Sequence, residues 1–141
     1  NNKDISLIRH LTEETQENVC VFEGFMDFLS YLQYAREHPG LPPMNFCILN
    51  STAMAGRSGE FLSRHRLVHA FLDNDEAGRR TLAELTRRCP RSQVIDHAHL
   101  YRDYKDLNDF WIARKRLRND SEETKTESRK PQLRPKGGMK V

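Results

Sequence analysis

The sequence predicts an α/β fold in which a mainly parallel, four-stranded sheet is flanked by helices in three layers. Short apolar runs alternate with helix-like stretches along the chain, and such alternation favours a parallel sheet with helices on both faces. Acidic residues follow two of the apolar runs, where α/β folds place their ligands. The length of 141 residues and the hydrophobic content of 37% suit one domain.

The first half of the chain contains two predicted strands and one helix. Val19–Phe22 is a short apolar run that predicts a buried strand. Gly24 ends it, and apolar residues then recur at helical spacing from Phe25 to Ala35. The sequence His38-Pro39-Gly40 ends this helix. Phe46–Leu49 is the second predicted strand.

The second half continues the alternation. Residues 51–59 are small and polar and predict a loop, with Ser58 as the N-cap of a short helix. Leu67–Leu72 is the third predicted strand, and Asp75 is the expected N-cap of a helix over 77–88. Val94 and Ile95 mark a short fourth strand. The last helix is expected to begin near Leu107 and to bury part of an apolar set, Phe110, Trp111, Ala113 and Leu117.

Composition divides the chain into three parts. We expect a flanking segment over residues 1–17, the α/β domain over 18–118 and a disordered basic tail over 119–141. Residues 1–113 carry a net charge of −3 and residues 114–141 a net charge of +6. The tail could attract nucleic acid through salt-sensitive contacts or could be a solubilising end.

The remaining composition limits the protein class. Cys20, Cys47 and Cys89 are far apart, which argues against a disulfide framework or a zinc site. Cys20 and Cys47 lie in predicted strands, so we expect buried free thiols in a reducing cytoplasm. No apolar run approaches the roughly 20 residues that a membrane span needs, so no membrane partner is expected. A first residue other than Met suggests a fragment of a longer protein.

Three carboxylates predict the chemistry. Glu23 ends the first strand, and Asp73 and Asp75 follow the third strand. If these two strands are neighbours, the three acids converge at one edge of the sheet, where they would repel one another unless a cation joins them. Hard oxygen ligands at such an edge suit Mg²⁺ together with substrate phosphates.

Other interpretations of these acids remain open. Residues 73–84 match an EF-hand calcium loop at several positions, although Ala77 offers no side-chain ligand and a strand precedes the loop. Asp75 could simply cap its helix while Asp73 is exposed. Asp27 could be favoured near a helix N-terminus by the helix dipole.

Further charged groups follow the third and fourth strands. Lys105 could pair with a phosphate or with the acids. Alternatively, Asp106 or Asn108 could cap the last helix and this segment would have no catalytic role. His97 and His99, with Asp96 and Asp103, form a weaker candidate metal cluster. The helix after Asp75 carries four arginines that could hold a nucleic-acid backbone or solvate the helix: Arg79, Arg80, Arg87 and Arg88.

Residues 18–112 resemble the Toprim domain that DnaG-type primases and topoisomerases share. Val19–Ser30 is similar to the strand-ending glutamate motif of that family, with the Glu-Gly-x-x-Asp spacing of primases. Residues 73–78 resemble the Asp-x-Asp motif in its primase version. Residues 105–109 resemble the Lys-Asp-x-Asn-Asp block of primases and phage primase-helicases.

The resemblance implies a metal-dependent nucleotidyltransferase that makes RNA primers during DNA replication. Glu23 would act as general acid or base or as a metal ligand, and Asp73 and Asp75 would hold Mg²⁺ or Mn²⁺. Several other residues would contact phosphates or nucleic acid, or would position the acidic residues: Asp27, Arg79, Lys105, Asp106, Asn108 and Asp109.

The implied partners are nucleoside triphosphates, a single-stranded DNA template held by domains outside this chain, and helicase or other replication proteins. Primases also carry a zinc module and a basic template-binding part, and this sequence contains neither. Two other functions remain open: a non-catalytic Toprim scaffold in a replication or recombination complex, and a metal-dependent nuclease.

Overall fold

The structure is a computed structural model, which describes residues 4–9 and 17–131. The chain forms two compact units, residues 1–111 and residues 112–141. In the first unit, a sheet of five strands is combined with helices, which confirms the predicted α/β class, although four strands were expected. The strands are β1 (Ser6–Ile8), β2 (Asn18–Phe22), β3 (Asn45–Ile48), β4 (Leu67–Phe71) and β5 (Gln93–Asp96), and the helices are α1 (Phe25–Glu37), α2 (Ala55–Leu62), α3 (Glu76–Arg88) and α4 (Leu107–Arg129).

The sheet has the order β1-β3-β2-β4-β5. The central strand β2 pairs in parallel with both β3 and β4, and β5 pairs in parallel with β4. Phe22 lies opposite Phe71 at the carboxyl ends of β2 and β4. The predicted adjacency of the first and third predicted strands is therefore confirmed, and it places the segments after them side by side.

Strand β1 adds a fifth strand that the sequence did not predict. Ser6–Ile8 pairs antiparallel with β3, with Leu7 opposite Cys47. All three residues of β1 are exposed, Leu7 by 39% and Ile8 by 38%, and a strand of three residues is too short to give a recognisable alternation in the sequence. Asn50, which has a positive φ of 61°, donates to the carbonyl oxygen of Asp4 at 2.6 Å.

Each face of the sheet has its own apolar core, because side chains alternate between the two faces along a strand. Val19 and Val21 face a core shared with α2 and α3, which contribute residues such as Leu62 and Leu85. Cys20 and Phe22 face the opposite core, to which α1 contributes Phe28 and Tyr31. The three-layer arrangement is confirmed. The predicted burial of Cys20 and Cys47 is also confirmed, and Cys89 is buried as well.

The predicted start of the second helix is wrong. A 3₁₀ helix over Thr52–Met54 leads into α2, which begins at Ala55. Ser51 is the capping residue, since its side chain accepts from Ala53 N–H. Ser58 lies inside α2, where its hydroxyl donates to the carbonyl oxygen of Ala55 at 2.7 Å. The small side chains of this segment suit close helix packing, which the sequence alone does not distinguish from a loop.

The disorder expected from Asn119 is wrong for residues 119–129, because helix α4 continues to Arg129. From Ile112 the helix belongs to the second unit, and its residues there are exposed except Ala113, which is half-buried. Several hydroxyl side chains bond back to carbonyls one turn earlier, as Ser121 does to Leu117 at 2.8 Å. The rest of the predicted tail, residues 132–141, lies outside the described residues. Within the described ranges, no helix is long and apolar enough to cross a membrane.

Candidate metal centre

Glu23 and Asp73 meet at the carboxyl edge of the sheet, as predicted. Glu23 directly follows β2, and Asp73 comes two residues after the end of β4. Since these strands are parallel neighbours, the two segments leave the sheet together. The Oε2 atom of Glu23 accepts a hydrogen bond from the backbone N–H of Asp73 at 2.7 Å. This bond fixes the backbone of the loop between β4 and α3, residues 72–75, which we call the acidic loop.

Asp73 also belongs to a group of three carboxylates from three separate segments. One oxygen from each of Asp27, Asp73 and Asp106 lies within 4.8 Å of the others. Asp27 comes from the first turn of α1, and Asp106 precedes the first residue of α4. Among the described residues, this is the one group of three or more His, Cys, Asp or Glu side chains with spacing suited to a shared ion. We call it the acidic cluster.

Hydrogen bonds at the start of α4 hold the acidic cluster in place. The backbone N–H of Asn108 donates to Asp27 Oδ1 at 3.0 Å, and that of Asp109 donates to Asp106 Oδ1 at 2.8 Å. Asp106 is thus the N-cap of α4, one of the two capping residues that the sequence suggested. Asn108 is held by Ser30, whose hydroxyl donates to Asn108 Oδ1 at 3.1 Å.

The electrostatics of the acidic cluster disfavour three ionised carboxylates. Asp27 is only 5% exposed, and burial, with the nearby charges of Asp106 and Asp73, raises its pKa to about 7. Burial and the adjacent Glu23 carboxyl raise the pKa of Asp73 as well. Across residues 4–9 and 17–131, no Lys, Arg or His forms an ion pair with any of the three. The cluster therefore has excess negative charge that a cation would neutralise.

The profile of the Toprim-like family matches residues 20–111, a span that contains every member of the acidic cluster. The chain belongs to the Toprim-like family. The predicted membership of the Toprim family is thereby confirmed.

Two solved structures resemble this Toprim domain. The primase fragment of the bacteriophage T7 primase-helicase protein is 19% identical, with a TM-score of 0.46, over 74% of this chain and 45% of that fragment. The primase domains bound to an RNA/DNA hybrid and dTTP, in a complex with bacteriophage T7 lagging-strand DNA polymerase, are 18% identical, with a TM-score of 0.43, over 60% of this chain and 48% of theirs. The chain thus spans about half the length of these structures. No curated protein sequence matches it.

Asp75 of the Toprim domain lies outside the acidic cluster. Its Oδ1 atom accepts from the backbone N–H of Gly78 at 2.7 Å, so the predicted N-cap role of Asp75 is confirmed. Its role as a metal ligand stays a prediction. The structure brings Asp27 and Asp106 to Asp73, two acids that the sequence placed among the supporting residues.

Gly78 permits the close approach of α3 to the acidic loop. A Cβ atom at this position would overlap the carbonyl oxygen of Asp73 and lie 3.0 Å from its carbonyl carbon. No side chain other than hydrogen fits there without moving the backbone of Asp73. The glycine of the Asp-x-Asp motif therefore serves packing as well as capping.

Asn74 is a positioning residue that the sequence analysis missed. Its Nδ2 atom donates to the carbonyl oxygens of Tyr101 at 2.9 Å and Tyr104 at 3.0 Å. Its backbone N–H donates to the carbonyl oxygen of Lys105 at 2.7 Å. These bonds tie the loop after β4 to the segment that leads into α4. The position of Asn74 between Asp73 and Asp75 could have indicated this role, because an amide can donate hydrogen bonds and an ionised carboxylate cannot.

The remaining predicted site residues lie around the acidic cluster. Lys105 and Asp109 are exposed, and Arg79 lines a second cavity with Asp73. The cluster itself lines a cavity of about 470 Å³ together with Glu23, Phe25, Ser51 and Thr52, among others. This cavity gives the carboxylates access to solvent and to a ligand.

Two of the alternative metal sites are not supported. Glu84, the twelfth residue of the candidate calcium loop, pairs on α3 with Arg87 at 2.8 Å and Arg88 at 2.5 Å. His97 and His69 form a hydrogen bond with each other at 2.9 Å, and the ring of His97 stacks on Phe71 with centroids 4.6 Å apart. The imidazole of His97 is therefore used in packing and hydrogen bonding, and among the described residues neither His97 nor His99 belongs to a group with spacing suited to a shared ion.

Proposed function

We propose that this chain is the metal- and nucleotide-binding part of a DNA-primase-type nucleotidyltransferase that makes RNA primers in DNA replication. One observation carries the proposal: Asp27, Asp73 and Asp106 converge within 4.8 Å from three separate segments of a Toprim-like chain. Such a group suits hard divalent cations, and Mg²⁺ in particular binds through one or two carboxylates plus phosphates.

The residues present fit Mg²⁺ or Mn²⁺. All three donors are carboxylate oxygens, which harder cations prefer to softer donors such as thiolates. The raised pKa of Asp27 reflects burial and neighbouring negative charge. A bound cation would stabilise the ionised carboxylate and so offset the cost of both. When bound, the ion would neutralise phosphate charge and activate a hydroxyl nucleophile. Asp75 stays a candidate ligand through the carboxylate oxygen that does not cap α3.

Glu23 is the residue that we assign to proton transfer. Its carboxyl group lies against Asp73, where its Oε2 accepts the backbone N–H at 2.7 Å. Burial and the neighbouring Glu23 carboxyl raise the pKa of the Asp73 carboxyl, and a carboxylate beside the reacting groups can act as a general base. We propose that Glu23 accepts the proton of the attacking hydroxyl, and that Asp27, Asp73 and Asp106 fix the position of the reacting groups.

The other parts of the reaction are proposed to come from outside this chain. The match covers 45% of the T7 primase fragment, so template binding is assigned to other segments of a longer protein. Nucleoside triphosphates are the proposed substrates, and single-stranded DNA and a helicase are the proposed partners. Lys105 is exposed and is proposed to contact phosphates, and Asp109, whose backbone N–H donates to Asp106 Oδ1, is proposed to support the acidic cluster.

The test uses the longer parent protein and a Glu23→Gln variant. We expect primer synthesis from labelled nucleoside triphosphates on single-stranded DNA to fall by at least about a hundredfold. Gln keeps an oxygen that can accept the Asp73 N–H, so the fold and the binding of Mn²⁺ by Asp27, Asp73 and Asp106 should remain. Cleavage of DNA without primer synthesis would instead identify a nuclease, and the absence of both activities would favour a scaffold.

A further inference from the structure

A second cavity adjoins the acidic cluster on the side of α3 and β5. It has a volume of about 400 Å³, within the range of small-molecule sites. The polar and charged groups that line it include Asp73, Asn74, Arg79, Asp96, His99 and Arg102. Asp73 lines both this cavity and that of the acidic cluster. A ligand in the second cavity would therefore lie next to the same carboxylate.

In the described part of the chain, the two arginines of this cavity have no carboxylate partner, whereas six other arginines of the fold do. Arg80 pairs with Glu76, and Arg87 and Arg88 pair with Glu84 on the same helix. Three further arginines, Arg57, Arg64 and Arg66, also have carboxylate partners. Within residues 4–9 and 17–131, Arg79 and Arg102 have no carboxylate within 4.0 Å. Their guanidinium groups are thus available to a ligand.

The two arginines come from segments whose relative position is fixed. Arg79 lies in the first turn of α3, where its backbone N–H donates to the carbonyl oxygen of Asp75 at 3.1 Å. Arg102 follows a 3₁₀ helix over Ala98–Tyr101. The Asn74 amide bonds to the carbonyl oxygen of Tyr101 at 2.9 Å, and so ties the segment of Arg102 to the loop that precedes α3. The cavity is therefore formed before a ligand arrives.

We propose that this cavity binds a phosphate group, with Arg79 and Arg102 donating hydrogen bonds to its oxygens. Guanidinium groups bind phosphate through paired, charge-assisted hydrogen bonds. The carboxylates of the cavity have other partners: Asp96 Oδ1 accepts from Ala98 N–H at 2.9 Å, and Asp73 belongs to the proposed metal centre. We assign the phosphate to a nucleotide or a nucleic-acid strand. This assignment of the source rests on the proposed function, whereas the phosphate site itself does not.

The first experiment measures phosphate binding without metal. Pyrophosphate is titrated into the chain in EDTA, and backbone amide shifts are followed by NMR. We expect shifts around residues 78–79 and 98–102, and about tenfold weaker binding in each of Arg79→Gln and Arg102→Gln. Arg91→Gln is the matched control, since Arg91 is exposed and precedes the amino end of β5. An equal loss in Arg91→Gln, or no loss in the two cavity variants, would overturn the proposal.

A second experiment separates this inference from the metal proposal and identifies the source of the phosphate. Asp106→Asn should weaken Mn²⁺ binding by at least about tenfold and leave pyrophosphate binding in EDTA unchanged, because Asp106 does not line this cavity. If the wild-type chain binds no Mn²⁺ but its pyrophosphate binding requires both arginines, the phosphate site stands and the proposed function fails.

The source is then found with Mg²⁺ present, using ATP and a single-stranded DNA octamer without terminal phosphates. Weaker binding of ATP alone in the Arg79→Gln and Arg102→Gln variants identifies a nucleotide phosphate. Weaker binding of the octamer alone identifies a phosphodiester of the strand. Unchanged affinity for both ligands would contradict the site.

Discussion

The carboxyl oxygen Oε2 of Glu23 accepts the backbone N–H of Asp73 at 2.7 Å, and this bond joins the two parallel strands at the centre of the candidate site. Glu23 follows β2 and Asp73 follows β4. The bond exists because β2 and β4 are parallel neighbours in register. It sets the backbone of Asp73, whose side chain contributes to the acidic cluster with Asp27 and Asp106.

The first prediction concerns metal binding by Asp106. Asp106→Asn removes one negative charge from the cluster and keeps an Oδ1 atom that can still accept the N–H of Asp109. We expect Mn²⁺ affinity to fall by at least about tenfold, as measured by calorimetry, with little change in the free energy of unfolding. Asp109→Asn is the matched control, because Asp109 is exposed and lies outside the cluster. Equal Mn²⁺ affinity in wild type and Asp106→Asn would contradict the metal centre.

The second prediction concerns stability and pH without metal. The pKa of Asp27 is raised to about 7 by burial and neighbouring carboxylates, against roughly 3.9 for an unperturbed Asp. Between these values the folded protein binds more protons than the unfolded chain. The stabilisation from the neutral carboxyl is therefore complete below pH 4 and is lost as the pH rises towards 7.

Asp27→Asn should remove this dependence. We expect the variant to be more stable than the wild type at pH 8, by on the order of 2 kcal/mol, because Asn has no charge to bury and keeps an acceptor for Asn108 N–H. At pH 4 the two proteins should differ little. Urea denaturation at both pH values in EDTA measures the free energy of unfolding. A wild type more stable than Asp27→Asn at pH 8 would show that the ionised Asp27 carboxylate does not destabilise the fold.

The third prediction concerns protons released by metal binding. A cation displaces protons from carboxyls whose pKa is raised, so binding should be tighter at pH 8 than at pH 6. Both Asp27 and Asp73 have a raised pKa. Calorimetry of Mn²⁺ binding at pH 6.5, in two buffers with different ionisation enthalpies, should detect the release of protons. The release should decrease in Asp27→Asn, and an identical heat in both buffers for the wild type would contradict this coupling.

Much of this arrangement follows from the sequence, because apolar runs and strand-end acids are local patterns. Val19–Phe22 and Leu67–Phe71 are buried runs bounded by polar groups, and the N-cap role of Asp75 follows from its position before a helix. The sequence does not show which carboxylates join Asp73 in the acidic cluster. Asp27 faces Asp73 because of the direction in which α1 leaves the sheet, and Asp75 turns to its own helix. Local spacing does not determine either orientation.

Two elements were missed for a different reason, namely that they bury little apolar surface. Strand β1 is exposed and depends on backbone pairing with β3, so its side chains carry no pattern of alternation. The distal half of α4 is polar and exposed, a composition that also predicts disorder. Ser and Thr hydroxyls in this half of α4 donate to carbonyl oxygens four residues earlier in the helix. The amino-acid composition alone does not reveal such bonds.

The last prediction concerns Gly78. Ala at this position would place a Cβ against the carbonyl oxygen of Asp73, so either α3 or the acidic loop must move. We expect Gly78→Ala to destabilise the fold by about 2–4 kcal/mol and to weaken Mn²⁺ binding, because the backbone of Asp73 would be displaced from the bond with Glu23. Thermal unfolding and calorimetry measure the two effects.

Gly40→Ala is the matched control for this substitution, since a Cβ at Gly40 meets no atom within 4 Å. It should leave both the melting temperature and Mn²⁺ affinity close to wild type. Gly78→Ala with wild-type stability and metal affinity would show that α3 can retreat from Asp73 at no cost. In that case the glycine would not determine where the acidic loop lies, and the positions of the cluster oxygens would have to be set by Glu23, Asn74 and the start of α4 alone.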